Sequence, residues 1–67
     1  MEFGTRLKEI RTCLNISQKE LSEKTRLTLR TIQRIENNEV KPSLHSIKVI
    51  SEALEIESSE LIEKSDI

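Results

Sequence analysis

Arg30, Gln33, Arg34 and Asn37 stand in the stretch TLRTIQRIEN, residues 28–37. Their spacings of three and four put long or amide-bearing side chains on one side of a helix, with Ile32 and Ile35 pointing elsewhere. Such a face offers hydrogen bonding to flat heterocycles rather than bond breaking. An arginine bonds bidentately to guanine O6 and N7, a glutamine to adenine N6 and N7, and an exposed leucine presses on a thymine methyl. An ordinary solvated face uses the same residue types, so the surrounding pattern decides between the two readings.

The rest of the chain offers no rival chemistry. His45 is the single histidine and has no second histidine to share a metal, so it reads as a surface residue. Cys13 is the single cysteine; an internal disulfide is impossible, and its place in a helical run marks it as a small buried or half-buried thiol. Gly4 is the single glycine, which leaves no phosphate-cradling loop. No Ser-His-Asp or Cys-His set is present. Catalysis, a metal, a cofactor and a small-molecule ligand are therefore not expected.

Sixty-seven residues make one domain, residues 1–67, with its core over about 4–62. Phe3 is the sole aromatic residue, so the core must be built from Ile, Leu and Val. No segment is long and apolar enough to span a membrane, and no leader pattern precedes the first helix, so a cytoplasmic location is expected. The net charge of −1 hides an asymmetry. Residues 1–34 carry eight Lys or Arg against four acids (+4), and residues 35–67 carry three Lys against eight acids (−5). The first half suits a polyanion; the second does not.

The elements that must position the face are helices. Phe3, Leu7, Ile10 and Leu14 form a helical stripe, and Asn15 ends it. SQKE at Ser17–Glu20 is a capping box that starts a second helix anchored by Leu21. Thr25-Arg26-Leu27 is a turn, and Thr28 caps the third helix, which ends in Glu36-Asn37-Asn38-Glu39. Asn37 or Asn38 suits a left-handed closing residue. Ser43 or Leu44 starts a fourth helix with the stripe Leu44, Ile47, Ile50 or Val49, Ala53 and Leu54. Ser58 or Ser59 caps a short fifth helix bearing Leu61 and Ile62. The fold is all-α.

Two short helices joined by a three-residue turn form the layout in which the second helix enters the DNA major groove. Free amides at the amino end of the preceding helix, at Ser17 and Gln18, suit a phosphate. With these pieces in place, GTRLKEIR and LNISQKELSEKTRLTLRTIQRIENNEVKPSLHSIKVISEALEI resemble the Cro/CI-type (Xre-like) helix-turn-helix domains of phage repressors and bacterial regulators. Ile16, Ser17, Gln18, Glu20, Leu21, Thr28, Ile32, Ile35, Glu36 and Asn37 occupy that family's pattern, as do Pro42, Ser43, Leu44, Ile47, Ile50, Ala53 and Leu54. The resemblance implies a compact five-helix bundle of the lambda-repressor-like DNA-binding type.

It also implies roles. Leu29, Arg30, Gln33 and Arg34 fall at base-facing positions, although Leu29 has a second reading, packed beside Ile32. Gln18 matches a glutamine that grips a phosphate and braces a base-reading side chain. Ser17, Thr28, Thr31, Asn37, Lys41 and Arg26 are backbone-contact candidates. Arg6 and Arg11 read as phosphate contacts or plain surface, while Glu36 resembles a glutamate that pairs with a base on the first helix, Arg11 first and Arg6 second. Four positions depart from the pattern: Arg26 replaces the turn glycine, Asn38 the glycine after Asn37, Ser22 an alanine, and Glu55 the glycine after Leu54.

The expected partner is double-stranded DNA, read sequence-specifically by a transcriptional regulator. A homodimer through helices four and five on a palindromic site is expected, with Leu61, Ile62 and Ile67 as spare hydrophobes in a monomer. An antitoxin or restriction-system controller would use the same domain. A protein-interaction module that has lost DNA binding is the rival from another class.

Overall fold

In the computed structural model, residues 3–61 are described, and they are helical: α1 (Phe3–Cys13), α2 (Gln18–Thr25), α3 (Leu29–Glu36), α4 (Leu44–Leu54) and α5 (Ser58–Leu61). Helix α3 packs on α1 and α2, α4 on α2 and α5, and α5 closes back on α1. Leu7, Leu21, Ile32, Ile35, Ile50, Leu54 and Leu61 meet in the buried core. Phe3, Ile10, Ile16, Leu27, Val40, Ala53 and Ile56 pack around it, so the connectors Ile16, Leu27, Val40 and Ile56 fasten helices together. No helix among the described residues is long and apolar enough to cross a membrane.

Hydroxyl caps start three of the helices. Ser17 Oγ accepts from the Glu20 amide at 3.0 Å, Thr28 Oγ1 from the Thr31 amide at 3.1 Å, and Ser43 Oγ from the Ser46 amide at 3.1 Å. Helix α5 already includes both Ser58 and Ser59, so neither is its cap.

Left-handed residues stop the helices, and none of them is glycine. Asn15, Arg26, Asn38 and Glu55 have φ of 61°, 65°, 61° and 58°. After α3 the Asn38 amide donates to the Ile35 carbonyl at 3.0 Å, and the Glu39 amide to the Arg34 carbonyl at 2.9 Å. This paired closure satisfies carbonyls that a helix end otherwise leaves open. The same pairs recur at Asn15–Ile16 and at Glu55–Ile56. In the turn after α2, Thr25 closes the chain instead: its buried hydroxyl donates to the Leu21 carbonyl at 2.8 Å and accepts from the Leu27 amide at 3.2 Å. The turn proper is therefore Arg26–Leu27, with Thr25 inside α2.

Four expectations about burial need correction. Leu14 is 46% exposed, because α1 ends at Cys13 and the chain swings left-handed at Asn15 before the stripe can bring Leu14 inward. Cys13 is exposed, on the outer side of that last turn. Leu44 is 85% exposed: α4 begins beyond the rim of the core, and nothing covers its first residue. Leu61, by contrast, is fully buried; it is the residue by which α5 joins the core and is not spare. Ile62 and Ile67 lie outside the described residues.

Candidate nucleic-acid interface

Helix α3 is a two-faced element of eight residues. At about 100° per residue, Leu29, Arg30, Gln33, Arg34 and Asn37 share an arc of roughly 140°. All five are exposed; Ile32 and Ile35 are buried on the far side, and Glu36 is buried at the edge of the arc, about 20° from Leu29. Leu29 is 40% exposed, so it sits at the edge of the outward face rather than in the core beside Ile32. Thr31 is half-buried at the boundary, and the Thr28 hydroxyl donates to its hydroxyl at 2.8 Å.

Beneath this face lies a buried polar network that joins α1, α2 and α3. Arg11 Nε donates to Glu36 Oε2 at 2.6 Å and Nη2 donates to Oε1 at 3.1 Å, a bidentate pair. Arg11 Nη1 donates to the Ile16 carbonyl at 2.6 Å, which ties in the α1–α2 connection. Gln18 Nε2 donates to Glu36 Oε1 at 2.9 Å. The side chains of Arg11 and Glu36 are only 9% and 1% exposed. Arg11 is thus neither a plain surface residue nor a phosphate contact. Arg6 does not pair with Glu36: its Nε donates to the Glu60 carbonyl at 3.1 Å and ties α1 to α5.

A buried pair with its donors and acceptors engaged fixes geometry more than it adds net stability. Here it sets the rotation of α3 about its axis, because Glu36 is one of only three buried positions on that helix. It also aims Gln18. One amide proton of Gln18 points to Glu36, so the carboxamide is oriented by Glu36 and not by a base-facing side chain.

The flanking candidates stand at the ends of α2 and α3. Ser17 and Gln18 stand at the start of α2, Arg26 and Thr28 in the turn, and Asn37 and Lys41 after α3. Ser17, Arg26, Thr28, Asn37 and Lys41 are exposed, and Gln18 is half-buried. Arg26 itself takes the left-handed backbone, φ 65°, that a turn glycine adopts without strain. His45 is exposed, and no metal-holding cluster of His, Cys, Asp or Glu occurs among the described residues.

Besides the Gln18–Glu36 bond, sequence reasoning missed a close contact at Gly4. Gly4 sits where the first turn of α1 crosses the end of α3. A Cβ there would fall on the Ile35 carbonyl oxygen, 2.6 Å from Asn38 Oδ1 and 2.9 Å from the Glu36 carbonyl oxygen. The close approach lets the Gly4 amide donate to Asn38 Oδ1 at 3.0 Å, while Asn38 Nδ2 donates to Thr5 Oγ1 at 3.2 Å. Asn38 therefore caps α1 with its side chain while its backbone ends α3. A glycine inside a helical stripe was the available signal.

Residues 7–61 match the model of the helix-turn-helix family designated HTH_3. Among solved structures, the chain is similar to the restriction-modification controller protein C.AhdI from Aeromonas hydrophila. The two share 34% identity over 91% of this chain and 92% of that one, with a TM-score of 0.88. No match to curated proteins was found. The five-helix order, the outward polar arc of α3 and the family match agree: this chain belongs to the Xre/Cro/CI-type helix-turn-helix family and carries its DNA-binding domain.

Proposed function

We propose that the protein is a sequence-specific regulator of transcription that binds double-stranded DNA as a homodimer, with α3 in the major groove. The observation that carries this is the two-sidedness of α3, which buries Ile32, Ile35 and Glu36 while holding Leu29, Arg30, Gln33 and Arg34 outward. Arg30 and Arg34 suit guanine edges, Gln33 an adenine edge and Leu29 a thymine methyl. Ser17, Gln18, Arg26, Thr28, Thr31, Asn37 and Lys41 hold the sugar–phosphate backbone on either side and set the register.

Dimerisation supplies what one small module lacks, a second half-site about one helical turn away. The expectation placed the dimer surface on α4 and α5. Leu61 is buried and offers nothing to it, but Leu44 at the start of α4 is 85% exposed and supports it; an open groove between α1 and α5, lined by Ile10, Leu14 and Ile56 among others, is a second apolar surface for self-association.

The likeness to a restriction-modification controller favours a narrower reading, that the chain is itself such a controller. Selection of bound sites from random duplex DNA tests the general proposal. Enrichment of a palindromic site supports it; absence of any enriched site sinks it and favours an interaction module. An enriched site lying upstream of restriction or methyltransferase genes would support the narrower reading.

A further inference from the structure

Glu39 follows α3 and has no assigned part in the interface. The closure of the helix brings it back over the recognition face. With Asn38 left-handed, the Glu39 amide reaches the Arg34 carbonyl at 2.9 Å, so the backbone fixes the two residues as neighbours. Their side chains then meet, with Glu39 Oε1 3.7 Å from Arg34 Nε. The other carboxylate oxygen, Oε2, accepts from Asn37 Nδ2 at 3.5 Å. The two charged side chains are 48% and 55% exposed.

We infer that Glu39 is a positioning residue for Arg34, one that lowers affinity for DNA in general and sharpens discrimination at the base pair Arg34 faces. The inference rests on the proposed reading of α3. An acidic side chain beside a surface for a polyanion weakens binding to every sequence. Its proximity to Arg34 gives that loss a return. The carboxylate lies 3.7 Å from Nε, a contact that leaves the terminal nitrogens of the guanidinium for a base edge. An arginine restrained before binding loses less freedom in the one geometry that fits guanine. An arginine with a carboxylate beside it is also drawn less strongly onto a phosphate, the contact that carries no sequence information. The pair is exposed and screened, so it is weak enough to yield to a base edge.

The test compares the parent, Glu39→Gln, Glu39→Asp, Arg34→Ala and the Arg34→Ala/Glu39→Gln double variant. The probes are the duplex the parent enriches from a random library, single base-pair changes of it, and an unrelated duplex. Glu39→Gln is expected to bind the unrelated duplex about threefold more tightly and to lose about threefold in discrimination at the base pair where Arg34→Ala loses it. Glu39→Asp keeps the charge but not the reach, so it loses the discrimination without gaining general affinity. In the Arg34→Ala background, Glu39→Gln changes discrimination no further. The inference is overturned if Glu39→Gln shifts all duplexes by one factor, or if it costs discrimination equally with and without Arg34. If Arg34→Ala discriminates at every base pair as the parent does, the base-reading role of Arg34 has failed and the role of Glu39 goes with it. Circular dichroism of each variant checks that this exposed site leaves the fold intact.

Discussion

The Arg11 guanidinium lies against both oxygens of the Glu36 carboxylate, at 2.6 and 3.1 Å, so α1 holds α3 by a fork of two hydrogen bonds. Glu36 is adjacent in sequence to Asn37 and two residues from Arg34, both exposed. At about 100° per residue Glu36 lies roughly 20° from Leu29 and 60° from Gln33, so the buried pair borders the outward face that it orients.

Removing one partner leaves a buried charge with nothing to balance it. Arg11→Met is expected to lose about 3–5 kcal/mol, a large share of the stability of so small a domain. The Arg11→Met/Glu36→Leu double variant should regain most of that loss, because it buries no charge. Urea denaturation of the singles and the double gives the coupling. A double variant as unstable as the single would show that packing, not charge, sets the loss.

Gly4→Ala sets two effects against each other. Alanine is the better helix residue by about 1 kcal/mol. Its Cβ, however, would fall on the Ile35 carbonyl oxygen and break the Gly4–Asn38 hydrogen bond. Overpacking against backbone, which cannot step aside, costs about 1–3 kcal/mol, and the lost bond adds about 1 kcal/mol. A net destabilisation of about 2 kcal/mol in a thermal melt is the expected result. A stabilised variant would mean that α1 does not approach α3 this closely.

Glu55 holds a left-handed conformation at φ 58°, where a side chain is strained by about 1 kcal/mol relative to glycine. Glu55→Gly should therefore raise stability by up to about 1 kcal/mol, less the entropy that glycine restores to the unfolded chain. Arg26→Gly relieves the same strain but also removes a charge from the proposed rim. Its melting temperature should rise while its affinity for DNA falls, which separates the two roles of that residue.

Arg30→Ala and Gln33→Ala should each relax preference at particular base pairs, by about 1–3 kcal/mol, with non-specific binding nearly intact. Lys41→Ala should weaken all sequences alike and reduce the salt slope of binding by about 1. If the Arg30→Ala/Arg34→Ala double variant bound its selected site as well as the parent at moderate salt, α3 would not be the reading element.

Self-association is open to a direct test. Leu14 contributes exposed apolar surface to the groove between α1 and α5. Leu14→Glu should shift sedimentation toward monomer and weaken binding to a two-half-site duplex much more than to a single half-site. A dimer unaffected by this change would place the contact elsewhere.

The sequence by itself determined much of the local structure: the caps of α2, α3 and α4, the approximate ends of the helices, and which side of α3 faces out. Those properties are short-range. A capping hydroxyl meets an amide three residues on, and a side chain's direction follows from 3.6 residues per turn, so Ser17, Thr28, Ser43, Ile32 and Ile35 declare themselves. A left-handed stop at Asn37 or Asn38 was legible for the same reason, and the structure puts it at Asn38. Burial at helix ends was not, because periodicity does not say which helix covers which turn. Leu14 and Leu44 fit their stripes yet lie outside, while Leu61 looked spare and lies inside. Contacts across long separations were decided only by the tertiary structure. Gly4 against Ile35 and Asn38, Arg6 against Glu60, and Gln18 against Glu36 depend on how α1 crosses α3, where α5 docks and how α2 meets α3. Packing fixes those crossings, and no local rule encodes them.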